Sequence, residues 1–390
     1  MKILMLTWEY PPRIVGGIAR VVYNLAQKLG QHGNEVHIIT CREKSDLEEE
    51  LDRNVYIHRV NIYDINTNNF VDWVFQMNFS FLERAIKLLN EIDRVDIIHA
   101  HDWLTAFAAR VIKHSWKIPL VSTIHATESG RNNGIHNETQ RYISSIEWWL
   151  TYESWMVVVN SKYMKYEVKN IFSLPEDKIR VIPNGVNLEK FDKYEKDIIF
   201  RNRYAMNDEK IIFFVGRIVN EKGVHILIDA IPKILKHYYK VKFVIAGKGP
   251  ELEYLQRKAK VMNIAQKIYF TGYISDDELG KLYKCVDIGV FPSLYEPFGI
   301  VALEGMIAKI PVIVSDTGGL SEIIEHGIDG MKFYAGNSNS LADCVLEMLY
   351  NPEKSEIIRN RAYEKVIRMY NWDTIAHQTY QLYANIVDRS

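Results

Sequence analysis

Cysteine is scarce in this chain. Three residues, Cys41, Cys285 and Cys344, are spread over 390 positions. None stands in CxxC or CxxH spacing, which argues against a disulfide framework or a zinc site and fits a reducing, cytoplasmic setting. No apolar run approaches the roughly 18 residues of a membrane span, and the apolar part of the N-terminal KILMLTWEYPP is too short for a secretory signal. Neither sign of charge dominates: 48 Lys and Arg stand against 49 Asp and Glu, a formal net charge of -1. No global field therefore draws the chain to nucleic acid, and any phosphate binding has to be local. Short-period repeats and low-complexity tracts are also missing. What is present is a 47% hydrophobic content in a chain longer than one core usually organises, so two domains are expected.

Short β-branched runs alternate with helical patterns. KILML, EVHIIT, VDIIHA, PLVSTIH, WMVVV and IRVIP read as buried parallel strands of a first sheet. Between the first two, Ile18, Val21, Val22, Leu25 and Leu29 recur at helical spacing, and Gly30 and Gly33 close the helix, which makes a βαβ unit. After Pro183-Asn184-Gly185 and the charged NLEKFDKYEKD, the pattern restarts with KIIFFVG, VKFVIAG, KIYFTG, DIGVFPS and PVIVSD. The chain therefore reads as α/β, with two doubly wound, Rossmann-like parallel sheets. The boundary is placed near residue 190, and the helix from Trp372 onward fits either domain. The segment Phe70 to Leu89 reads as a core-facing helix, amphipathic and aromatic enough to lie against a membrane surface as the alternative. Open parallel sheets bind ligands beyond the carboxyl ends of their strands, so two in tandem imply a cleft lined by both sets of loops.

Four constellations fall in those loops. In SLYEPFGIVALEG, Glu296 and Glu304 flank a loop-to-helix junction marked by Pro297 and Gly299. First-turn amides at Phe298, Gly299, Ile300 and Val301 suit a phosphate at the positive end of a helix dipole. Glu304 is one turn further on, within reach of ribose hydroxyls, while Glu296 suits sugar hydroxyls or a developing positive anomeric carbon. In FVGRIVNEKG, Arg217 and Lys222 sit in a glycine-flanked loop after a strand and can clamp a diphosphate whose charge grows as it departs. Gly16 and Gly17 open the first helix and permit close backbone approach, but the G-x-G-x-x-G fingerprint of dinucleotide binding is missing. Two strand ends carry polar clusters: Asp102 and His125 are read as site residues, His99 and His101 as structural. No H-E-x-x-H or D-x-D arrangement suggests a metal.

These motifs coincide with a known family. GGIARVV, HAHDW, STIHATESGR, IPNGVN, VGRIVNEKG, IAGKG, EPFGIVALE and SDTGGLSEII resemble the retaining GT-B glycosyltransferases of family 4, neighbours of the bacterial glycogen synthases, over nearly the whole chain. The resemblance implies that Arg217 and Lys222 bind the donor diphosphate, Glu304 the ribose, and the backbone around Gly17 and Phe298 to Val301 the phosphates and sugar. It implies that Glu296 and His125 flank the transferred sugar, that Gly272-Tyr273-Ile274 meets the base, and that the terminal helix with Trp372 returns to the first domain. The domains would then be 1–190 with 372–390, and 191–371. Catalysis would rest on Glu296, His125, Asp102, Arg217 and Lys222. The partners implied are a nucleoside diphosphate sugar and a carbohydrate acceptor, with no metal or other cofactor. The run from HDW through STIHATESGR looks most like α-1,4-glucosyltransferases and points to glucose and a glucan. Glycogen synthases proper carry a lysine two residues before the Gly-Gly pair, where this chain has Ile14-Val15. A lipid-linked or small-molecule acceptor is the alternative, and a sugar-nucleotide epimerase the rival reaction class.

Overall fold

The computed structural model describes residues 1–43, 46–63, 65 and 69–389. It divides into two compact units, Met1–Gly185 with Trp372–Ser390, and Val186–Asn371. In the first unit the described strands are β1 (Lys2–Leu6), β2 (Glu35–Cys41), β3 (Glu49–Asp52), β4 (Val55–Val60), β5 (Ile97–His101), β6 (Leu120–Ile124), β7 (Met156–Val159) and β8 (Ile179–Val181). They lie in the order β3-β4-β2-β1-β5-β6-β7-β8, parallel throughout except for β3 against β4. The central strand β1 buries Ile3, Leu4, Met5 and Leu6 completely, because helices cover both faces of a parallel sheet. The chain winds from β1 to one side through β2 and returns on the other through β5, which places the topological switch, where such sheets bind ligands, between β1 and β5.

The strands β3 and β4 are additions to the sequence reading. The short acidic EELD of β3 is half-exposed at the sheet edge, where charge discourages pairing with other chains, and it carries no apolar run to betray it. Helix Phe70–Glu91 buries Val74, Met77, Phe81, Ala85 and Leu88 under the sheet and leaves Phe70, Phe75, Phe79 and Ile86 exposed. Helix Trp372–Val387 packs on helix Gly17–Gln31, and Tyr383 reaches a buried hydrogen bond with His99 Nδ1. Among the described residues no helix is long and apolar enough to cross a membrane.

The second unit has β9 (Lys210–Val215), β10 (Val241–Ala246), β11 (Ile268–Gly272), β12 (Ile288–Phe291), β13 (Val312–Ser315) and β14 (Met331–Phe333) among its described residues. The order is β11-β10-β9-β12-β13-β14, and every pairing is parallel. Only β14, three residues long, was absent from the sequence reading. Here the topological switch lies between β9 and β12, so the loops after these two strands flank the expected ligand crevice. Those loops hold Arg217, Lys222 and Glu296.

Candidate functional site

The two loops of the second unit are tied together before any ligand arrives. After β9 the chain makes a short turn, Asn220–Lys222, and then Gly223 takes a left-handed φ of 65°. A side chain there would place its Cβ 2.0 Å from the carbonyl oxygen of Pro292, so glycine is required where the β9 loop passes the β12 loop. Leu294 N donates to Glu221 O at 2.8 Å and bonds the two backbones. The side chains follow: Lys222 Nζ donates to Glu296 Oε2 at 2.7 Å, and Ser293 Oγ donates to the same oxygen at 3.0 Å. Glu296 is 8% exposed. Its backbone oxygen accepts from Gly319 N at 2.8 Å, which docks the SDTGG turn beneath it. Arg217 stands differently, with its side chain 61% exposed and its guanidinium 3.4 Å from Glu221 Oε1.

Just beyond Glu296, Gly299 takes a φ of 112° and begins helix Ile300–Ile307 without any side-chain cap. First-turn amides have no partner inside their own helix, and no side chain caps this one. The buried Glu304 is ion-paired with Lys190, a partner that the sequence reading did not identify. Ile274 is partly buried against the core of this unit.

Gly318 makes the arrangement testable. Its φ is 51°, and an added Cβ would lie 2.2 Å from the backbone oxygen of Glu296. Gly318→Ala is expected to cost about 1–3 kcal/mol from φ strain alone, with the clash displacing Glu296 in addition. The control is Gly327→Ala, where φ is 75° but nothing lies within 4 Å of the added Cβ. Thermal unfolding should then fall in both variants, and the donor KM should rise in Gly318→Ala alone. Equal kinetics in the two variants would mean that the turn does not set the position of Glu296.

The first unit has a glycine-opened helix start as well, but there a carboxylate from the chain itself fills it. Glu9 Oε2 accepts from Val15 N at 2.6 Å and from Gly16 N at 2.7 Å, and the Ala19 amide is also directed at it. Burial pushes the Glu9 carboxyl above its ordinary range against the pull of these amides. The amide of Gly16, expected from the sequence to approach a donor, is thus committed to Glu9.

Asp102, at the end of β5, holds a positive φ of 58°. Its Oδ1 accepts from His125 N at 2.7 Å, and Arg131 lies 3.8 Å from its Oδ2. The His125 ring is engaged on both nitrogens: Asn160 Nδ2 donates to Nδ1 at 3.2 Å, and Nε2 meets His101 Nδ1 at 3.1 Å. With Nδ1 accepting, the proton of a neutral His125 sits on Nε2 and points to His101. Burial holds all three histidines below their ordinary range, His99 down to about 3, so they serve as neutral hydrogen-bonding groups. His99 bridges Thr123 and Tyr383. Among the described residues no group of three or more His, Cys, Asp or Glu side chains is placed to hold a metal ion.

Comparison with known proteins decides what this arrangement belongs to. Residues 15–190 match the model of Glycosyltransferase Family 4, and residues 195–365 that of Glycosyl transferases group 1. An uncharacterized glycosyltransferase of Methanocaldococcus jannaschii is 43% identical, with 98% of each chain covered. The chain is a family 4 glycosyltransferase of the GT-B fold. A glycogen synthase of Mycobacterium tuberculosis is 30% identical over 98% of this glycosyltransferase and 94% of its own length. In fold, the sucrose-phosphate synthase of Thermosynechococcus elongatus matches all of both chains with a TM-score of 0.85 at 22% identity.

Several residues of the glycosyltransferase's two site regions escaped the sequence reading. Ser293 lies three positions before Glu296 in the same motif and was legible in principle. Glu9 follows a buried apolar strand and precedes Pro11-Pro12, which gives no periodic signal, and Lys190 and Asn160 were unmarked among polar residues. Three tryptophans of the first unit lie in different surroundings. Trp103 is buried in the core, Trp149 lies beneath the Arg110 guanidinium at 5.0 Å and against Phe107, and Trp148 is exposed and stacked on Tyr152.

Proposed function

We propose that this glycosyltransferase moves glucose from a nucleoside diphosphate glucose to a hydroxyl of a glucan-like acceptor, with retention of anomeric configuration. The observation that carries the reading is Lys222 and Ser293 converging on the buried carboxylate of Glu296, directly ahead of the uncapped start of helix Ile300–Ile307. A fixed cation and a row of helix amides match the growing charge of a departing diphosphate. A buried carboxylate held from one side by Lys222 and Ser293 matches the hydroxyls of one hexose. The glycogen synthase relative, alike over nearly its whole length, supports glucose and a glucan.

In this reading the bond from the anomeric carbon to the diphosphate oxygen breaks first, with Lys222 and Arg217 taking up the charge. The acceptor oxygen then attacks the oxocarbenium-like sugar from the face the diphosphate leaves, and its proton passes to a departing phosphate oxygen. Glu9 holds the Gly16 turn, while Asp102 and the backbone of His125 shape the acceptor side. The enzyme's contribution is positioning and electrostatic preorganisation.

Nucleotide release measured with and without maltooligosaccharides tests the reading. Release that depends on the acceptor supports a transferase, whereas consumption of the donor without any acceptor would indicate an epimerase or hydrolase. Because protein cations take the part that a divalent metal plays elsewhere, activity is expected to survive EDTA. Loss on chelation, reversed by magnesium or manganese, would remove the two cations from that role. A second reading, a lipid-linked acceptor, draws on the exposed Phe75 and Phe79, which meet edge to face, and on the contact of Phe75 with Phe107. Transfer that needs a glycolipid in vesicles and ignores soluble glucans would favour it.

A further inference from the structure

The short helix Glu128–Asn132 is held at its start by side chains from other elements. Thr127 caps it, with Oγ1 accepting from Gly130 N at 2.9 Å, and the same hydroxyl donates to Glu167 at 2.6 Å. The amide of Glu128 takes a separate partner and donates at 2.8 Å to Oε1 of Glu147, which helix Glu138–Glu153 supplies. Just before the cap, His125 N is fastened to Asp102, and in the helix's last turn Arg131 faces the other oxygen of Asp102. The strap from His125 to Arg131 is therefore fixed between two buried carboxyls, Asp102 and Glu147.

Glu147 is 2% exposed, and its Oε2 makes no hydrogen bond among the described residues. A buried polar atom without a partner costs free energy, and a glutamine, although it would accept the same amide, would leave its NH2 in that same place. The groups that bear on Glu147 are Asp102, Glu128 and Arg131, and those bearing on the His125 ring include Asp102 and Arg131. Burial first, then the like charges of Asp102 and Glu128, push the Glu147 carboxyl well above its ordinary value, against the Glu128 amide and Arg131.

We propose that Glu147 is a positioning residue for acceptor use: by holding the Glu128 amide it fixes helix Glu128–Asn132 and, through it, the Arg131 guanidinium beside Asp102. The inference rests on the reading of Asp102 as part of the acceptor side. A carboxylate at position 147 would add negative charge near Asp102 and compete for Arg131, so the arrangement weakens as this proton is lost. The sign follows from linkage. The folded chain holds the proton more tightly than the unfolded one, so the contribution to the fold is complete below the ordinary value of 4.5. It is lost as pH rises through the raised folded value.

The test follows wild type, Glu147→Gln and Glu147→Ala from about pH 6 to about pH 9. Near neutrality Glu147→Gln is expected within about twofold of wild type, while Glu147→Ala raises the acceptor KM about tenfold and leaves the donor KM unchanged. The wild-type acceptor kcat/KM should fall on the alkaline side, and that of Glu147→Gln should not. Equal damage in both variants, the same alkaline limb in wild type and Glu147→Gln, or parallel rises of both KM values would overturn the proposal. Hydrogen exchange across residues 125–134 in ligand-free protein gives a readout independent of the acceptor. Alkaline loss of protection in wild type but not in Glu147→Gln supports the role, and identical profiles refute it. If wild type transfers to no carbohydrate, the functional reading fails and hydrogen exchange alone decides the case of Glu147.

Discussion

Alanine at Arg217 or at Lys222 is expected to lower turnover by about 100- to 1000-fold, the usual loss when one preorganised electrostatic donor to a developing anion is removed. The two substitutions differ in what else they do, and the difference separates mechanism from folding. Arg217 is largely exposed and touches Glu221 at 3.4 Å, so its removal should change stability by no more than about 0.5 kcal/mol. Its kinetic loss can then be read directly as transition-state stabilisation. Lys222 also neutralises the buried Glu296 carboxylate, and without it that oxygen keeps only the neutral hydroxyl of Ser293 among the described side chains. Lys222→Ala should therefore lower the thermal midpoint as well as turnover. Adding Glu296→Gln to Lys222→Ala should recover the stability, which shows that the lost midpoint came from the unpaired carboxylate. Steady-state nucleotide release together with thermal unfolding of the four proteins provides the measurement. Near-normal turnover in either single variant would remove that cation from the mechanism.

Donor choice should be sharp, and the product α-linked. Glu296 is buried and already bonded to Lys222 and Ser293, so a sugar that presents its hydroxyls correctly satisfies the carboxylate, whereas one that does not leaves buried polar groups unpaired. Sites that recognise a hydroxyl by hydrogen bonding discriminate by as much as about 10,000-fold. Nucleoside diphosphate glucose is accordingly expected to outrun the corresponding mannose and N-acetylglucosamine donors by a large factor in kcat/KM. A donor panel crossed with maltooligosaccharides, with linkage and anomeric configuration read by NMR, checks both claims. Preference for mannose or N-acetylglucosamine would sink the glucose assignment, and a β-linked product would sink retention.

Strands buried on both faces of a parallel sheet must be apolar at nearly every position. That is why KILML, KIIFFV and PVIVS could be read as strands and the α/β class recognised without coordinates. The loop motifs were legible for a related reason. A helix start that meets an anion needs glycine and bare amides, and a departing diphosphate needs fixed cations, so EPFGIVALE and GRIVNEKG carry their chemistry in residue types at short spacing. The acidic edge strand β3 and the three-residue β14 lacked such a pattern and appeared only in the folded chain. The sequence by itself thus determined the sheets, the glycine-marked helix starts and the residue types in the loops after β9 and β12. Tertiary structure alone decided how those groups are engaged: Glu9 on the Gly16 amide, Lys190 on Glu304, both nitrogens of the His125 ring held by Asn160 and His101, and Glu147 under the helix that carries Arg131. A hydrogen bond depends on which two segments, 114 positions apart for Lys190 and Glu304, approach within about 3 Å, and no local period in the chain encodes that meeting.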